Sequence, residues 1–151
     1  MSLGKPPRLE QVFLKYDPPV YFVTFCTNNR RKVLASCAVH SALIEYGRTA
    51  EECGIALSRY VIMPDHIHLF VTGTDDFDLG IWIRGLKRVV AAAVTGGRDG
   101  IWQRGFFDHL IRNSESYSEK WDYIRENPIR AGLVSCADEW PFQGEIVDID
   151  R

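Results

Sequence analysis

The sequence predicts an α+β domain in which an antiparallel sheet is covered by helices mainly on one side. Segments of strand and helix composition follow one another in the order strand, helix, hairpin, helix, strand, helix. The two hairpin segments are separated by only a short turn, which is how antiparallel neighbours are joined. The 151 residues, 46% of them hydrophobic, suffice for one domain with its own core. We therefore expect a single domain over residues 1–151.

The chain begins with an arm, a strand and a helix. Residues 1–18 are proline-rich and polar and predict an N-terminal arm. Residues 20–27 are rich in β-branched and aromatic side chains and predict a strand. Apolar residues recur at helical spacing over 36–52, and Gly54 is typical of a helix end.

A hairpin follows, and its second arm carries two histidines. Residues 55–63 and 66–72 predict antiparallel strands joined by a short turn. Alternate side chains of a strand share a face, so His66 and His68 are expected to project together about 6–7 Å apart. Two imidazoles so arranged can bind a single metal ion. An ordinary histidine pair on a half-wet sheet face is the alternative interpretation.

The second half of the chain adds two helices and a strand. Residues 78–95 predict an amphipathic helix, residues 96–100 a turn, and residues 106–113 a strand. A last long helix is predicted to end near Asn127, because Pro128 disfavours the helical conformation in the residue before it. Short extended pieces are expected beyond that helix.

The last helix carries a tyrosine and an asparagine at a spacing that suits metal-assisted chemistry. Tyr123 and Asn127 are four residues apart and are predicted to lie on one helical face. A hydroxyl nucleophile and an amide oxygen that point the same way are what a metal-assisted phosphoryl transfer could use, if this helix packed over the histidine strand. Other tyrosines, such as Tyr60 and Tyr117, have no comparable partner four residues on.

Charge is distributed unevenly along the chain. The formal net charge of −2 argues against indiscriminate binding to nucleic acid. Residues 136–151 form an acidic tail, whereas basic residues cluster after the first strand and in the helix at 78–95. The two clusters that could contact a phosphate backbone are Arg30, Arg31 and Lys32, and Arg84, Lys87 and Arg88. A charge-balanced, solvated surface is the alternative for both.

Hydropathy and cysteine usage point to the cytoplasm. No apolar run approaches the ~20 residues that span a bilayer, and the N-terminus has no apolar signal-peptide core. The four cysteines show no paired short spacing, which predicts reduced thiols rather than disulfides or a zinc site. We expect a cytoplasmic protein without a membrane partner.

Three motifs together resemble a known family. They are Met63-Pro-Asp-His-Ile-His-Leu69, Trp102-Gln-Arg-Gly-Phe-Phe-Asp-His-Leu-Ile-Arg112 and Tyr123-Ile-Arg-Glu-Asn-Pro-Ile-Arg-Ala-Gly-Leu-Val134. In this order and spacing, the chain resembles the HUH single-tyrosine transposases of the IS200/IS605 type, and more closely the REP-associated tyrosine transposases. The resemblance extends from about residue 19 to residue 142.

The resemblance implies a ferredoxin-like, RRM-like palm with the histidine strand at its centre. It implies that His66, His68 and Asn127 hold one divalent ion, Mg²⁺ or Mn²⁺, at a scissile phosphate of single-stranded or hairpin DNA. Tyr123 would attack that phosphate, giving a 5′-phosphotyrosine and a free 3′-hydroxyl. A DNA 3′-hydroxyl can reverse the linkage, so strand transfer needs no nucleotide cofactor.

Two positions depart from the family pattern. Asp65 stands where asparagine is commoner, and Asn127 stands where the insertion-sequence branch has glutamine. Neither change removes a metal donor, but the first leaves the surroundings of the histidines open. Asp65, Asp108 and His109 are expected to be supporting residues.

Two other functions stay open on the sequence alone. One is a DNA- or RNA-binding regulator of the same fold whose chemistry is idle. The other is a hydrolase that uses the metal to activate water, which would form no protein–DNA adduct. The protein is expected to be a monomer or homodimer, and to be associated with the nucleoid when it binds DNA.

Overall fold

Five strands form one antiparallel sheet in the computed structural model, which describes residues 19–94 and 100–149. The strands are β1 (Val20–Cys26), β2 (Ala56–Ile62), β3 (His66–Thr72), β4 (Phe107–Ile111) and β5 (Gln143–Glu145). Their order is β4-β1-β3-β2-β5, so the histidine strand β3 is central. The predicted arm at 1–18 and most of the predicted turn at 96–100 lie outside the described residues.

The helices begin where side chains can cap them. They are α1 (Cys37–Glu52), α2 (Leu79–Ala93), α3 (Ser114–Ile124) and α4 (Asn127–Arg130), with 3₁₀ turns at Asn28–Arg30 and Ala137–Glu139. Ser36, Asp78 and Asn113 each accept a hydrogen bond from a backbone N–H in the first turn of α1, α2 and α3. Gly54, with φ of +81°, follows α1, as its position predicted. Over the described ranges, no helix is long and apolar enough to cross a membrane.

The predicted last helix is divided in two. Its first part, α3, ends at Ile124, and Asn127 begins the four-residue helix α4. Pro128 lies in the first turn of α4, where a residue without an N–H and with a fixed φ is tolerated. The prediction of one helix that Pro128 ends near Asn127 is therefore wrong. Tyr123 and Asn127 lie in different helices, although Arg125 and Glu126 between them keep αR backbone angles.

Helices cover the two faces of the sheet unequally. The two longest, α1 and α2, pack against the face that includes Val23, Leu69 and Val71, as predicted. The shorter α3 buries Tyr117 and Ile124 against the other face. That face also carries His66 and His68, and α3 covers it only in part, so the histidine end stays half open.

The predicted acidic tail is part of the packed fold over its described residues. β5 pairs with β2 at the edge of the sheet. Trp140 is buried, and its indole N–H donates to the carbonyl of Ile62 at 3.0 Å. Val147 and Ile149 are buried as well, because apolar residues alternate with the acidic ones that indicated a tail.

Candidate active site

The two histidines share one face of the central strand, as the strand periodicity predicted. β3 pairs with β1 so that His68 lies opposite Thr24 and His66 opposite Cys26. The imidazole centroids are 4.7 Å apart, and the rings meet edge-on at 80°. Phe22, also on β1, stacks on the His68 ring at 5.4 Å. Neighbouring strands therefore hold both rings in fixed orientations.

Each imidazole has a hydrogen-bond partner at Nδ1. His66 Nδ1 lies 2.7 Å from Oδ1 of Asp65, and His68 Nδ1 lies 2.8 Å from Oγ1 of Thr24. A carboxylate can only accept, so His66 carries its proton on Nδ1, and the Thr24 hydroxyl can accept from His68 in the same way. In this tautomer the Nε2 atoms of both rings keep a lone pair, which is the arrangement of metal-binding histidines.

Both histidines are neutral near pH 7. Burial, together with smaller effects of the nearby His66, Lys120, Arg130 and Arg30, lowers the pKa of His68 to about 3. Burial also lowers the pKa of His66, although Asp65 opposes that shift. An unprotonated imidazole is the form that binds a metal ion.

Both carboxylate oxygens of Asp65 have hydrogen-bond partners, His66 Nδ1 at Oδ1 and Arg30 Nε at Oδ2. Arg30 Nε donates to Oδ2 at 2.9 Å, and the backbone N–H of Thr27 donates to the Asp65 carbonyl at 2.9 Å. Arg30 has φ of +51°, a left-handed conformation that is uncommon for arginine. Burial would raise the pKa of Asp65, but its hydrogen bonds to His66 and Arg30 lower it below the usual value.

Tyr123 and Asn127 contact the same arginine. Arg130, the last residue of α4, has its Cζ atom 4.1 Å from the centroid of the Tyr123 ring. Its Nη2 atom donates to the Tyr123 carbonyl at 2.7 Å and also to Oδ1 of Asn127. The Tyr123 side chain is 63% exposed. The turn between α3 and α4 therefore brings together the two residues that the predicted single helix would have aligned.

An open cleft of about 310 Å³ adjoins Tyr123. It is formed between β4 and α3 by His109, Ile111, Ser116, Glu119, Lys120 and Tyr123. Lys120 connects this cleft to the histidines, because its Nζ atom lies 5.2 Å from the Phe22 ring that stacks on His68. The cleft and the histidine pair thus lie on the same side of the sheet.

The two predicted supporting residues of β4 lie on opposite faces. His109 pairs with Phe22, so it lies on the histidine face and lines the cleft. Asp108 pairs with Val23, whose side chain belongs to the core under α1 and α2. Asp108 is therefore separated from the histidines by the sheet, because successive residues of a strand alternate between faces.

The predicted basic clusters differ in their surroundings. Arg31 and Lys32 are exposed beside Arg30, next to the histidine strand. Arg84 and Arg88 are exposed on α2, on the other side of the sheet. The ammonium of Lys87 donates to the carbonyls of Gln103 at 3.1 Å and Gly105 at 2.6 Å, so it anchors the loop before β4.

Sequence patterns missed two cations beside the histidines. Lys120 and Arg130 both lie close enough to His68 to lower its pKa. Lys120 precedes Tyr123 by three residues and so shares its helical face, which is a signal that the sequence offered. Arg130 belongs to the third family motif, but its contacts depend on the turn between α3 and α4.

The residues present fit a divalent ion at the histidine pair. Two neutral imidazoles suit a divalent transition metal such as Mn²⁺. Within residues 19–94 and 100–149, no three His, Cys, Asp or Glu side chains form a metal-binding group, so a further protein ligand would come from another residue type, such as the Asn127 amide. All four cysteines are free, in agreement with the prediction of reduced thiols.

Comparison with known proteins identifies the class to which this fold and site belong. Residues 19–127 match the family model described as "Transposase IS200 like", and the chain belongs to this family. It is 31% identical over 134 residues to the REP-associated tyrosine transposase of Escherichia coli K12, covering 87% of this chain and 79% of that relative. A solved structure of a REP-associated tyrosine transposase bound to a REP hairpin matches with a TM-score of 0.71 and 26% identity, covering 88% of this chain and 90% of that one. These matches confirm the predicted family and fold class.

Proposed function

We propose that this transposase is a metal-dependent single-stranded DNA endonuclease and strand transferase that acts beside hairpin-forming palindromes. The observation that carries the proposal is that two neutral histidines and a cleft lined by an exposed tyrosine lie on the same face of the sheet. Membership of the IS200-like transposases supports the reaction class. Tyr123 is the proposed nucleophile.

The charge on this face suits a DNA backbone. Arg30, Lys120 and Arg130 all lower the pKa of His68, so three cations lie around the histidine pair. Phosphates would bind Arg30 and Lys120 and release counterions, whereas Arg130 is engaged with Tyr123 and Asn127. The similar solved structure is of a transposase bound to a REP hairpin, which supports single-stranded or hairpin DNA as the ligand here. Arg31, Lys32, Arg84 and Arg88 are proposed as further, more distant contacts.

His66, His68 and Asn127 are proposed to hold one Mg²⁺ or Mn²⁺ ion, through the imidazole Nε2 atoms and the amide oxygen. When bound, such an ion supplies charge neutralisation at the scissile phosphate. Asp65 accepts from Nδ1 of His66, and Thr24 can accept from Nδ1 of His68, in the tautomer that leaves both Nε2 atoms free. Asp65 and His109 are the supporting residues that lie on this face.

Tyr123 would exchange one phosphodiester bond of the DNA for a bond to its own hydroxyl oxygen. The Tyr123 Oη atom forms a bond to phosphorus as it loses its proton, and the bond from phosphorus to the 3′-oxygen of the preceding nucleotide breaks. That oxygen takes up a proton and leaves as a 3′-hydroxyl, while the following strand stays on Tyr123 as a 5′-phosphotyrosine. Attack by another 3′-hydroxyl reverses the exchange and joins a new strand.

The test is adduct formation on single-stranded DNA from the flanks of the protein's own gene. The oligonucleotide carries its label at the 3′ end, because that fragment would become linked to the protein. With Mg²⁺ or Mn²⁺ we expect a labelled complex on a denaturing gel, and a chelator should prevent it. Tyr123→Phe should bind the same DNA but form no complex, whereas the control Tyr21→Phe, which removes a hydroxyl on the opposite sheet face, should form it normally.

Two results would contradict the proposal, and each would favour a different function. Nicking by Tyr123→Phe at a near wild-type rate would indicate a hydrolase that activates water. Tight hairpin binding without any adduct, across flanking sequences and metals, would indicate a regulator with idle chemistry.

A further inference from the structure

One arginine connects the proposed nucleophile to the proposed amide ligand. Arg130 lies over the Tyr123 ring, with its Cζ atom 4.1 Å from the ring centroid. The same guanidinium donates from Nη2 to the carbonyl of Tyr123 and to the amide oxygen of Asn127. Three contacts therefore come from one planar group.

The two residues lie in different helices, joined by Arg125 and Glu126 in αR conformation. α3 ends at Ile124 and α4 begins at Asn127, so no continuous helix carries both side chains. The Tyr123 carbonyl accepts from the backbone N–H of Arg125 and, at 3.4 Å, from that of Glu126, whereas Arg130 Nη2 lies at 2.7 Å. Arg130 thus supplies a donor at the place where the α-helical ladder stops.

We infer that Arg130 is a positioning residue, which holds the Tyr123 ring and the Asn127 amide in one arrangement for the reaction. This inference rests on the proposed role of Tyr123 as the nucleophile. Arginine suits the task because its guanidinium is planar, always charged and able to stack on a ring while it donates from its edge. A lysine keeps the charge but loses the planar stacking surface.

The stacked charge also acts on the reacting oxygen. A cation over an aromatic face favours electron density in that ring, and a phenolate ring is richer in electrons than a phenol ring. Arg130 therefore stabilises the negative charge that the Tyr123 oxygen shares in the transition state of attack. It does the same in the reverse, strand-joining step, in which Tyr123 is the leaving group.

The test compares Arg130→Ala and Arg130→Lys with Arg125→Ala. Arg125 lies on the same turn but pairs with Asp138 at 2.6 Å, so its loss is a matched control for an exposed arginine. In single-turnover adduct formation at saturating DNA, Arg130→Ala should be slower by about 10- to 100-fold, because small misplacements of reacting groups cost that much. Hairpin affinity should change by less than about threefold, since binding and positioning are separate.

Further readouts distinguish positioning from a general structural role. Arg130→Lys should restore part of the rate, and added methylguanidinium should rescue Arg130→Ala. Nitration of Tyr123 by tetranitromethane, mapped by mass spectrometry without DNA or metal, should increase in Arg130→Ala because the ring is uncovered. Nitration in Arg125→Ala should equal that of the wild type.

The outcomes separate this inference from the proposed function. If the wild type forms an adduct and Arg130→Ala forms it as fast as Arg125→Ala does, the inference is wrong and the function stands. A loss of hairpin affinity as large as the loss of rate would make Arg130 a phosphate contact instead. If the wild type forms no adduct, the proposed function fails, and the nitration comparison alone decides whether Arg130 holds the Tyr123 ring.

Discussion

His68 and Thr24 lie opposite each other on neighbouring strands, and Nδ1 of the histidine is 2.8 Å from Oγ1 of the threonine. When the hydroxyl accepts this bond, the imidazole proton lies on Nδ1 and Nε2 keeps its lone pair. Partners of this kind typically change metal affinity by about 10- to 100-fold when they are removed. Thr24 thus has a testable role although it is not itself a proposed ligand.

We expect Thr24→Val to weaken Mn²⁺ binding by about 10- to 100-fold, because the variant loses the hydroxyl but keeps the shape and the strand preference of threonine. Calorimetric titration with Mn²⁺ measures the change, and urea denaturation should give a free energy of unfolding close to that of the wild type. Thr24→Ser, which keeps the hydroxyl, is the control. Wild-type Mn²⁺ affinity in Thr24→Val would exclude this role for the hydroxyl.

The two histidines should be needed for metal binding and cleavage, but not for folding. His66→Ala and His68→Ala are each expected to abolish detectable Mn²⁺ binding and adduct formation, while circular dichroism shows a folded protein. His40→Ala is the matched control, because His40 is half-buried but bonds to the Tyr60 hydroxyl at 2.6 Å, away from this face. Normal Mn²⁺ binding by both single variants would show that these residues are not the ligands.

Stability without metal should fall in mildly acidic solution because of His68. Its pKa is about 3 in the folded protein against 6.5 ordinarily, with burial as the main cause. Above pH 6.5 both states are neutral at this ring, whereas below it the unfolded chain binds a proton that the folded chain does not bind until pH 3. The free energy of unfolding should therefore decrease as the pH falls through this window, by at most about 1.4 kcal/mol per pH unit from this residue.

Urea denaturation in the presence of a chelator, from pH 7.5 to pH 4, measures this dependence. His68→Gln removes the titrating ring and should flatten it. An equally steep dependence in His68→Gln would assign the effect to other groups, such as His66, whose pKa is also lowered.

The basic residues of α2 should divide into one structural and two DNA-binding residues. Lys87→Ala should lower the free energy of unfolding by about 1 kcal/mol, because its ammonium donates to two loop carbonyls. Arg84→Ala with Arg88→Ala should leave stability unchanged and reduce the slope of log affinity against log salt by about 2, one for each phosphate contact. Fluorescence anisotropy with a labelled hairpin at several salt concentrations gives that slope.

Lys120→Ala supplies the comparison on the histidine face, where a reduction of the salt slope by about 1 is expected. If the slope is unchanged in the double variant Arg84→Ala with Arg88→Ala but reduced in Lys120→Ala, the DNA binds on the histidine face only. The remaining contacts would then be assigned to Arg30, Arg31 and Lys32.

The sequence by itself determined what depends on short-range pattern. Strand periodicity placed His66 and His68 on one face, and apolar residues at helical spacing located the helices that begin at Cys37 and Leu79. The order of the motifs gave the family and the palm fold. These features follow from neighbours within a few residues, where backbone geometry fixes the direction of each side chain.

Only the tertiary structure decided the contacts that orient the candidate site. Thr24 meets His68 across 44 residues of chain, and Arg30 meets Asp65 across 35. Lys87 donates to a carbonyl of the loop before β4. Arg130 donates to both Tyr123 and Asn127, which lie in different helices. Such contacts depend on strand register and on the exact path of turns, which arise when the whole chain packs and leave no periodic trace in the sequence.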